Sequence, residues 1–216
     1  MRPFPLIGRF EDYDAVILAD GDFPRAPEPL RLLREAPFVC ACDGAVARYP
    51  EADAVVGDGD SVPKDLHGRL IQVDEQEDND LTKATRFCVA RELRRIVYLG
   101  ATGRREDHTL ANISLMVRYH RCFGVTPLMA TDYGWFVLAA GNAVFESMPG
   151  QQVSLFNVSC SKLSSEGLKW QAYPYSEFWQ GTLNEALGHS FSIAAEGLFL
   201  VYRTYVTKTA ELSAAR

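Results

Sequence analysis

The chain lacks most of the signatures that would place it quickly. Its five cysteines are an odd number, none forms a Cys-x-x-Cys pair, and no histidine cluster accompanies them. A zinc-ribbon site and a disulfide framework are therefore not expected. Buried free thiols in a reducing cytoplasm are. There is no Gly-x-Ser-x-Gly elbow, no His-Glu-x-x-His pair, no Walker loop ending in Gly-Lys-Ser or Gly-Lys-Thr, no repeat and no low-complexity tract. The longest apolar stretch, around Trp135 to Ala140, is far too short to span a bilayer. Arg2 is followed by prolines rather than by the apolar core of a secretory signal. Positive charge is also short, with 22 Lys and Arg against 28 Asp and Glu and a net charge of -6. That disfavours an electrostatic grip on nucleic acid or on an anionic membrane. Phosphates, if handled, need a metal ion or a few placed cations.

What is present is ordinary globular composition over 216 residues, 47% apolar and 23% charged. Near-continuous apolar runs at Ala15–Leu18, Phe38–Cys42, Ala54–Val56, Leu70–Val73 and Arg95–Leu99 predict strands covered on both faces. Between them lie helical patterns. One opens at Pro29 with Leu30 and Leu33 on one side. A second runs from about Asp80 to Leu93 with Leu81, Ala84 and Cys88 in register. A third follows Asp107 with Leu110, Ile113 and Val117. Strand and helix in alternation predict an α/β domain with a mainly parallel sheet. Near residue 135 the texture changes to period-two alternation, and Glu196-Gly197 between two such runs reads as a hairpin turn. The expected organisation is an α/β domain over 1–134 and an all-β, sandwich-like domain over 135–216.

Ligands of open α/β sheets bind beyond the carboxyl ends of the strands. Each predicted strand here ends in an acidic loop: Ala19-Asp20-Gly21-Asp22, Asp43-Gly44-Ala45, Gly57-Asp58-Gly59-Asp60-Ser61, Asp74 to Asp80, and Gly100 to His108. Asp58-Gly59-Asp60 can converge two carboxylates on one ion, and oxygen-only ligands favour Mg²⁺. The same three residues can equally make a local Asp-Gly turn. Asp80 sits where a helix N-cap belongs, a role compatible with metal binding. Lys83, one turn further, is a solvated side chain or a phosphate ligand. Asp74, Glu75 and Asp78 read as solvated loop. In the last loop, glycines free backbone N–H groups, Thr102 adds a hydroxyl and Arg105 a fork of donors, which suits phosphate. Asp107 has an N-cap alternative, and His108 could be a plain surface residue.

With these residues in hand, the chain resembles the thiamine pyrophosphokinase (thiamine diphosphokinase) family. Gly57-Asp58-Gly59-Asp60-Ser61 is similar to its G-D-x-D-S, and Gln76-Glu77-Asp78-Asn79-Asp80-Leu81-Thr82-Lys83-Ala84 to its Q-D-x-T-D-x-x-K-A. Gly100 to His108 is similar to G-A-T-G-G-R-x-D-H, and Gly167-Leu168-Lys169-Trp170 to G-L-K-W. This sequence departs at Glu77, usually Asp; at Asn79, usually Thr; at Arg104, usually Gly; and at Leu183, usually Ser before Asn184. The resemblance implies transfer of the diphosphate of ATP to the thiamine hydroxyl, giving thiamine diphosphate and AMP, in a homodimer with shared active sites. It implies Mg²⁺ on Asp58, Asp60 and Asp80, and a catalytic set of Asp58, Asp60, Gln76 and Asp80. ATP would meet Asp43, Ser61, Lys83, Thr102, Gly103, Arg105, Asp107 and His108, and thiamine would meet Gln76, Trp170 and Asn184. A tryptophan at position 170 could alternatively be a core anchor of a sheet. Two rival readings are a DxD-type transferase acting on a nucleotide sugar and a non-catalytic thiamine or nucleotide sensor.

Overall fold

The structure, a computed structural model, describes residues 3–75 and 77–210. Gln76, expected at the catalytic and thiamine sites, lies outside the described residues. The chain forms two compact units, Asp12–Asp132 and Tyr133–Arg216, the latter joined by Met1–Glu11.

The Asp12–Asp132 unit is built on parallel strands β1 (Ala15–Leu18), β2 (Val39–Cys42), β3 (Ala54–Gly57), β4 (Leu70–Gln72), β5 (Arg95–Leu99) and β6 (Thr126–Ala130). Their order is β6-β5-β1-β2-β3-β4. Strands β1 to β3 are buried throughout, as their unbroken apolar runs require, whereas β4 is largely exposed. Strand β6 was not expected, because Pro127 interrupts its apolar run. The chain steps from β1 outward to β4 and then returns to the other side of β1, so the sheet reverses direction between β1 and β5.

Three helices complete the unit: α1 (Pro27–Arg34), α2 (Asp80–Val89) and α3 (Glu106–Phe123). Helix α1 begins two residues before Pro29 and buries Leu32 and Leu33. In α2, Leu81, Ala84 and Cys88 are buried as expected. In α3 the core face is Met116 and Tyr119, and Leu110 is 65% exposed, so the expected Leu110 face is corrected. The Tyr119 ring stacks on Tyr98 of β5 at 5.6 Å, which fixes that rotation. Four cysteines are buried and free, and Cys122 is free but exposed.

Asp14 ties the start of β1 to that of β5. Its carboxylate accepts from the backbone N–H of Arg94 and Arg95, each at 2.9 Å, and from the Arg95 guanidinium. These donors, the Arg95 guanidinium first, lower its pKa to about 2. The ionised form is thus favoured in the folded state, and its stabilisation is present above pH 4 and lost as pH falls toward 2. Asp14→Asn is expected to lower the melting temperature at pH 7 by about 2–4 °C, equivalent to ~1 kcal/mol for a partly solvated pair. Thermal melts should show the difference shrinking below pH 4. An unchanged melting temperature at pH 7 would remove this clasp.

The second unit holds two antiparallel sheets. One has β7 (Gly134–Ala140), β9 (Gln151–Asn157), β11 (Asn184–Glu185) and β13 (Leu198–Thr207) in the order β11-β9-β13-β7. The other has β8 (Ala143–Glu146), β10 (Lys162–Glu166) and β12 (Ser190–Glu196) in the order β10-β12-β8. Phe145 of β8 meets Phe199 of β13 edge-on at 6.4 Å, joining the two sheets through one core. The turn at Glu196-Gly197 is not a hairpin. β12 pairs with β8 and β10, and β13 with β7 and β9, so this turn carries the chain from one sheet to the other. Gly197 holds φ 131° there, and a Cβ on it would lie 2.3 Å from the Ser159 carbonyl oxygen.

Phe4 adds a short bridge to this unit. Its ring stacks on Phe145 at 4.8 Å, its N–H donates to the Val144 carbonyl and its own carbonyl accepts from the Glu146 N–H. Beneath it the buried Arg203 guanidinium lies over the Trp135 ring at 4.6 Å and donates to the Glu146 carbonyl at 2.7 Å. Burial lowers the Arg203 pKa to about 9.

Candidate active site

A cavity of about 340 Å³ opens at the reversal between β1 and β5. Its rim comes from the loops after β1, β2, β3 and β5 and from the starts of α2 and α3. The β1 and β5 loops continue their strands' pairing, Gly21 donating to the Gly100 carbonyl at 2.7 Å and Asp22 to that of Thr102 at 2.9 Å. A Cβ at Gly21 would sit 2.3 Å from both carbonyl oxygens, so only glycine permits this approach.

Asp43 is buried, and its carboxylate accepts from the N–H groups of Gly59 and Ser61, each at 3.0 Å. It shapes the Asp58–Ser61 turn and lines the cavity together with Ser61. Asp58 accepts the Asp60 N–H at 3.2 Å, which is the local turn the Asp-Gly-Asp spacing allowed. Neither Asp58, half-buried, nor Asp60, exposed, lines the cavity itself; of this turn Ser61 does.

Asn79, not Asp80, caps α2: its side-chain oxygen accepts from the Thr82 N–H at 3.0 Å. Asp80 becomes the first helical residue, and its carboxylate is released from capping into the cavity wall. Lys83 is buried rather than solvated and donates to Asp80 at 3.2 Å. Burial raises the Asp80 pKa, with Asp58 and Asp43 adding to the rise and Lys83 opposing it. The wider acidic run is not mostly solvated either. Asp78 receives Arg86 at 2.9 Å and Arg118 at 2.8 Å, and Glu75 also receives Arg86, pinning this segment to α2 and α3.

On the opposite rim, Gly103 holds φ 81° with Asp22 packed where a side chain would stand. Arg105 and His108 line the cavity, but Arg105 pairs with Asp107. Asp107 is the second residue of α3 rather than its N-cap, Arg105 holding that position. Thr102 does not line the cavity. Sequence reasoning assigned no site role to several contributors. Asp20 and Arg104 pair at 2.8 Å across the rim. Asn112 links the site by donating to the Ala101 carbonyl and accepting from Asn79. The signals were an acid beside the first strand's glycine and a polar residue at mid-helix.

In the β unit, Trp170, Tyr173, Tyr175, Gln180, Leu183 and Asn184 line a shallow cleft of about 270 Å³. Trp170 is 53% exposed, which sets aside its reading as a core anchor. Asn184 is buried and its amide grips the Trp170 backbone, accepting its N–H at 3.1 Å and donating to its carbonyl at 2.7 Å. It therefore positions the tryptophan. Lys169 places its Nζ 5.0 Å from the indole centroid and pairs with Glu185.

A sheet-edge cavity ringed by acids and arginines, followed along the chain by a β unit with an aromatic cleft, makes this a two-unit protein of the α/β-plus-β class. Comparisons with known proteins narrow this further. Residues 30–125 match "Thiamin pyrophosphokinase, catalytic domain" and residues 134–202 match "Thiamin pyrophosphokinase, substrate-binding domain". The chain belongs to the thiamin pyrophosphokinase family. "Thiamin pyrophosphokinase 1" of Caenorhabditis elegans is 28% identical over 124 residues, a match covering 50% of this chain and 50% of that protein. The chain thus spans about half the length of that curated relative. Among solved structures, thiamin pyrophosphokinase from Candida albicans superposes with a TM-score of 0.73 at 16% identity, covering 94% of this chain and 96% of that one. The yeast enzyme does so with 0.73 at 15% identity, covering 92% and 88%. Among the described residues, no helix is long and apolar enough to cross a membrane.

Proposed function

We propose that the protein is a thiamine diphosphokinase, moving the β,γ-diphosphate of ATP as one unit onto the thiamine hydroxyl and releasing AMP. The observation that carries this reading is Asp80. Its carboxylate lies in the wall of the cavity at the β1–β5 reversal, where burial first, and then the charges of Asp58 and Asp43, disfavour its own charge. Such a group is suited to a bound cation and the phosphates that accompany it.

The donor chemistry fits Mg²⁺, since the acids facing the cavity offer oxygen alone. Among the described residues no group of three or more His, Cys, Asp or Glu side chains is placed to hold a metal ion. Mg²⁺ takes one or two carboxylates, with water and phosphate oxygens completing its shell. We assign it to Asp80 with one carboxylate of the neighbouring turn, Asp58 or Asp60. When bound, Mg²⁺ would neutralise charge growing on the transferred group. Lys83 lies behind Asp80 and holds it in place. Asp43 fixes the Asp58–Ser61 turn. Arg105, His108 and the glycine-opened backbone of the β5 loop face the phosphates. For thiamine we assign the exposed Trp170 face, which suits a flat aminopyrimidine and a cationic thiazolium. Asn184 supports it from behind. Phe178, Trp179, Leu183 and Leu187, each more than 60% exposed in the β unit, are consistent with a homodimer that covers them and shares its sites. The free thiols favour a cytoplasmic setting.

Incubation with ATP, Mg²⁺ and thiamine, followed by chromatography of the spent nucleotide, tests the reaction. AMP in step with thiamine diphosphate is expected, and ADP as direct product would sink the assignment. The pH dependence of Mg²⁺ binding gives a second check. Asp80 must be ionised to take the cation, and burial raises its pKa from the ordinary aspartate value in the metal-free protein. Protons should therefore compete with Mg²⁺ at a higher pH than at an ordinary aspartate, and affinity measured against pH should weaken correspondingly early on the acid side. In the Asp80→Asn variant this competition should be lost, and an unchanged pH dependence would detach it from residue 80.

A further inference from the structure

Arg104 stands apart from the rest of the cavity rim. It holds φ 57°, a conformation that disfavours any residue with a side chain, yet it carries one of the longest. From the β5 loop its guanidinium reaches across the cavity mouth to Asp20 on the β1 loop, Nη1 at 2.8 Å and Nη2 at 3.5 Å from the two carboxylate oxygens. Both residues line the cavity. Asp20 does not depend on this partner. Arg48 also pairs with it and is itself anchored on the Gly21 carbonyl at 2.8 Å.

We propose that Arg104 is a substrate-binding arginine that exchanges Asp20 for the polyphosphate of the incoming nucleotide, the Arg104–Asp20 pair being the unliganded state of this latch. This rests on the reading of the cavity as a nucleotide site and adds to it a residue that selects for the phosphate chain. Three observations favour the exchange. First, the pair is half exposed, so it is weak and opens at little cost. Second, Asp20 keeps Arg48 when Arg104 leaves, so no carboxylate is stranded. Third, the other nearby cations are engaged more locally: Lys83 is buried under Asp80, and Arg105 pairs with Asp107 two residues away. Beside Arg105 and His108, the lining presents Asp20, Asp43 and Asp80, which repel a polyanion. A planar fork already aimed over the mouth can take two phosphate oxygens at once, which a lysine cannot.

The test uses inorganic tripolyphosphate as probe, titrated calorimetrically into the full chain, beside steady-state kinetics with ATP and thiamine. Arg104→Gly puts at this φ the residue best able to adopt it, so folding should hold or improve. It is expected to weaken tripolyphosphate binding and raise the KM for ATP roughly tenfold, the loss of a bidentate charged contact, with kcat and the KM for thiamine little changed. Arg104→Lys should fall between. Asp20→Asn, which removes the competing carboxylate, should tighten tripolyphosphate binding several-fold in the parent and clearly less in the Arg104→Gly background, where only the repulsion by its charge is relieved. Unchanged tripolyphosphate affinity in Arg104→Gly would overturn the proposal. Tighter binding would also overturn it, by making the pair a block rather than a latch. If the parent makes no AMP from ATP and thiamine, the diphosphokinase reading fails by itself, and the tripolyphosphate titration still judges Arg104.

Discussion

Asp80→Asn is expected to lower turnover at saturating ATP and thiamine at least a hundredfold while leaving the protein folded. A hundredfold corresponds to ~3 kcal/mol of lost transition-state stabilisation, a reasonable share for one metal-binding carboxylate. The substitution keeps the size of the side chain and an oxygen for Lys83, which now donates to Asp80 at 3.2 Å. It removes a charge that burial and the nearby Asp58 and Asp43 already oppose. Folding should therefore survive, and circular dichroism melts without metal should show a midpoint at or above the parent's. A shift of the melt by Mg²⁺ and a nucleotide analogue should be present in the parent and reduced in the variant. Near-parental turnover would place Asp80 outside the reaction. Asp60→Asn is expected to act in the same direction, and comparing the two variants ranks the exposed carboxylate against the one in the cavity wall.

The second large effect is expected at Trp170. Trp170→Ala should raise the apparent KM for thiamine tenfold or more and change that for ATP much less. Removing an indole face from a flat cation costs about 0.5–2 kcal/mol, and lost shape adds to it. The ring is more than half exposed and its backbone is held by Asn184 independently of the side chain, so stability should change little. Because we assign the site to a shared dimer, mixing Trp170→Ala with Asp80→Asn under conditions of proven subunit exchange should restore part of the activity. Some heterodimers then carry one intact composite site. A mixture as inactive as its components would refute sharing. A lower melting temperature with unaltered thiamine affinity would return Trp170 to a structural role.

Much of the α/β unit was legible because burial on both faces leaves strands like β1 and β2 no polar positions. Helix α3 was less so, since its two buried residues, Met116 and Tyr119, are outnumbered by apolar residues such as Leu110, Ile113, Leu115 and Val117 that stay exposed or half-buried. The turn at Gly197 misled for a different reason. Alternation on both sides looks the same whether the next strand pairs with the last or joins the facing sheet, and only the pairings of β12 and β13 distinguish them. At the site, the acidic loops pointed to the cavity, but not to which carboxylates face it. Asn79 took the cap that Asp80 seemed placed to fill. Arg104 and Leu183 stand where the family usually has Gly and Ser, and both adopt positive φ, 57° and 61°. At residue 104 the backbone keeps the glycine-like turn although the side chain has changed, a separation that letters alone do not reveal.

The bridge at Phe4 bears on how the chain comes off the ribosome. Its partners, Val144, Phe145, Glu146 and Arg203, are synthesised up to two hundred residues later. At ~5–20 residues per second, the segment around Phe4 waits on the order of 10–40 s for the strands it joins. Within that interval residues 12–132 leave the ribosome, before Phe4 has a strand to pair with. A bulky fusion placed ahead of Phe4 should therefore delay maturation of the β unit more than that of Asp12–Asp132.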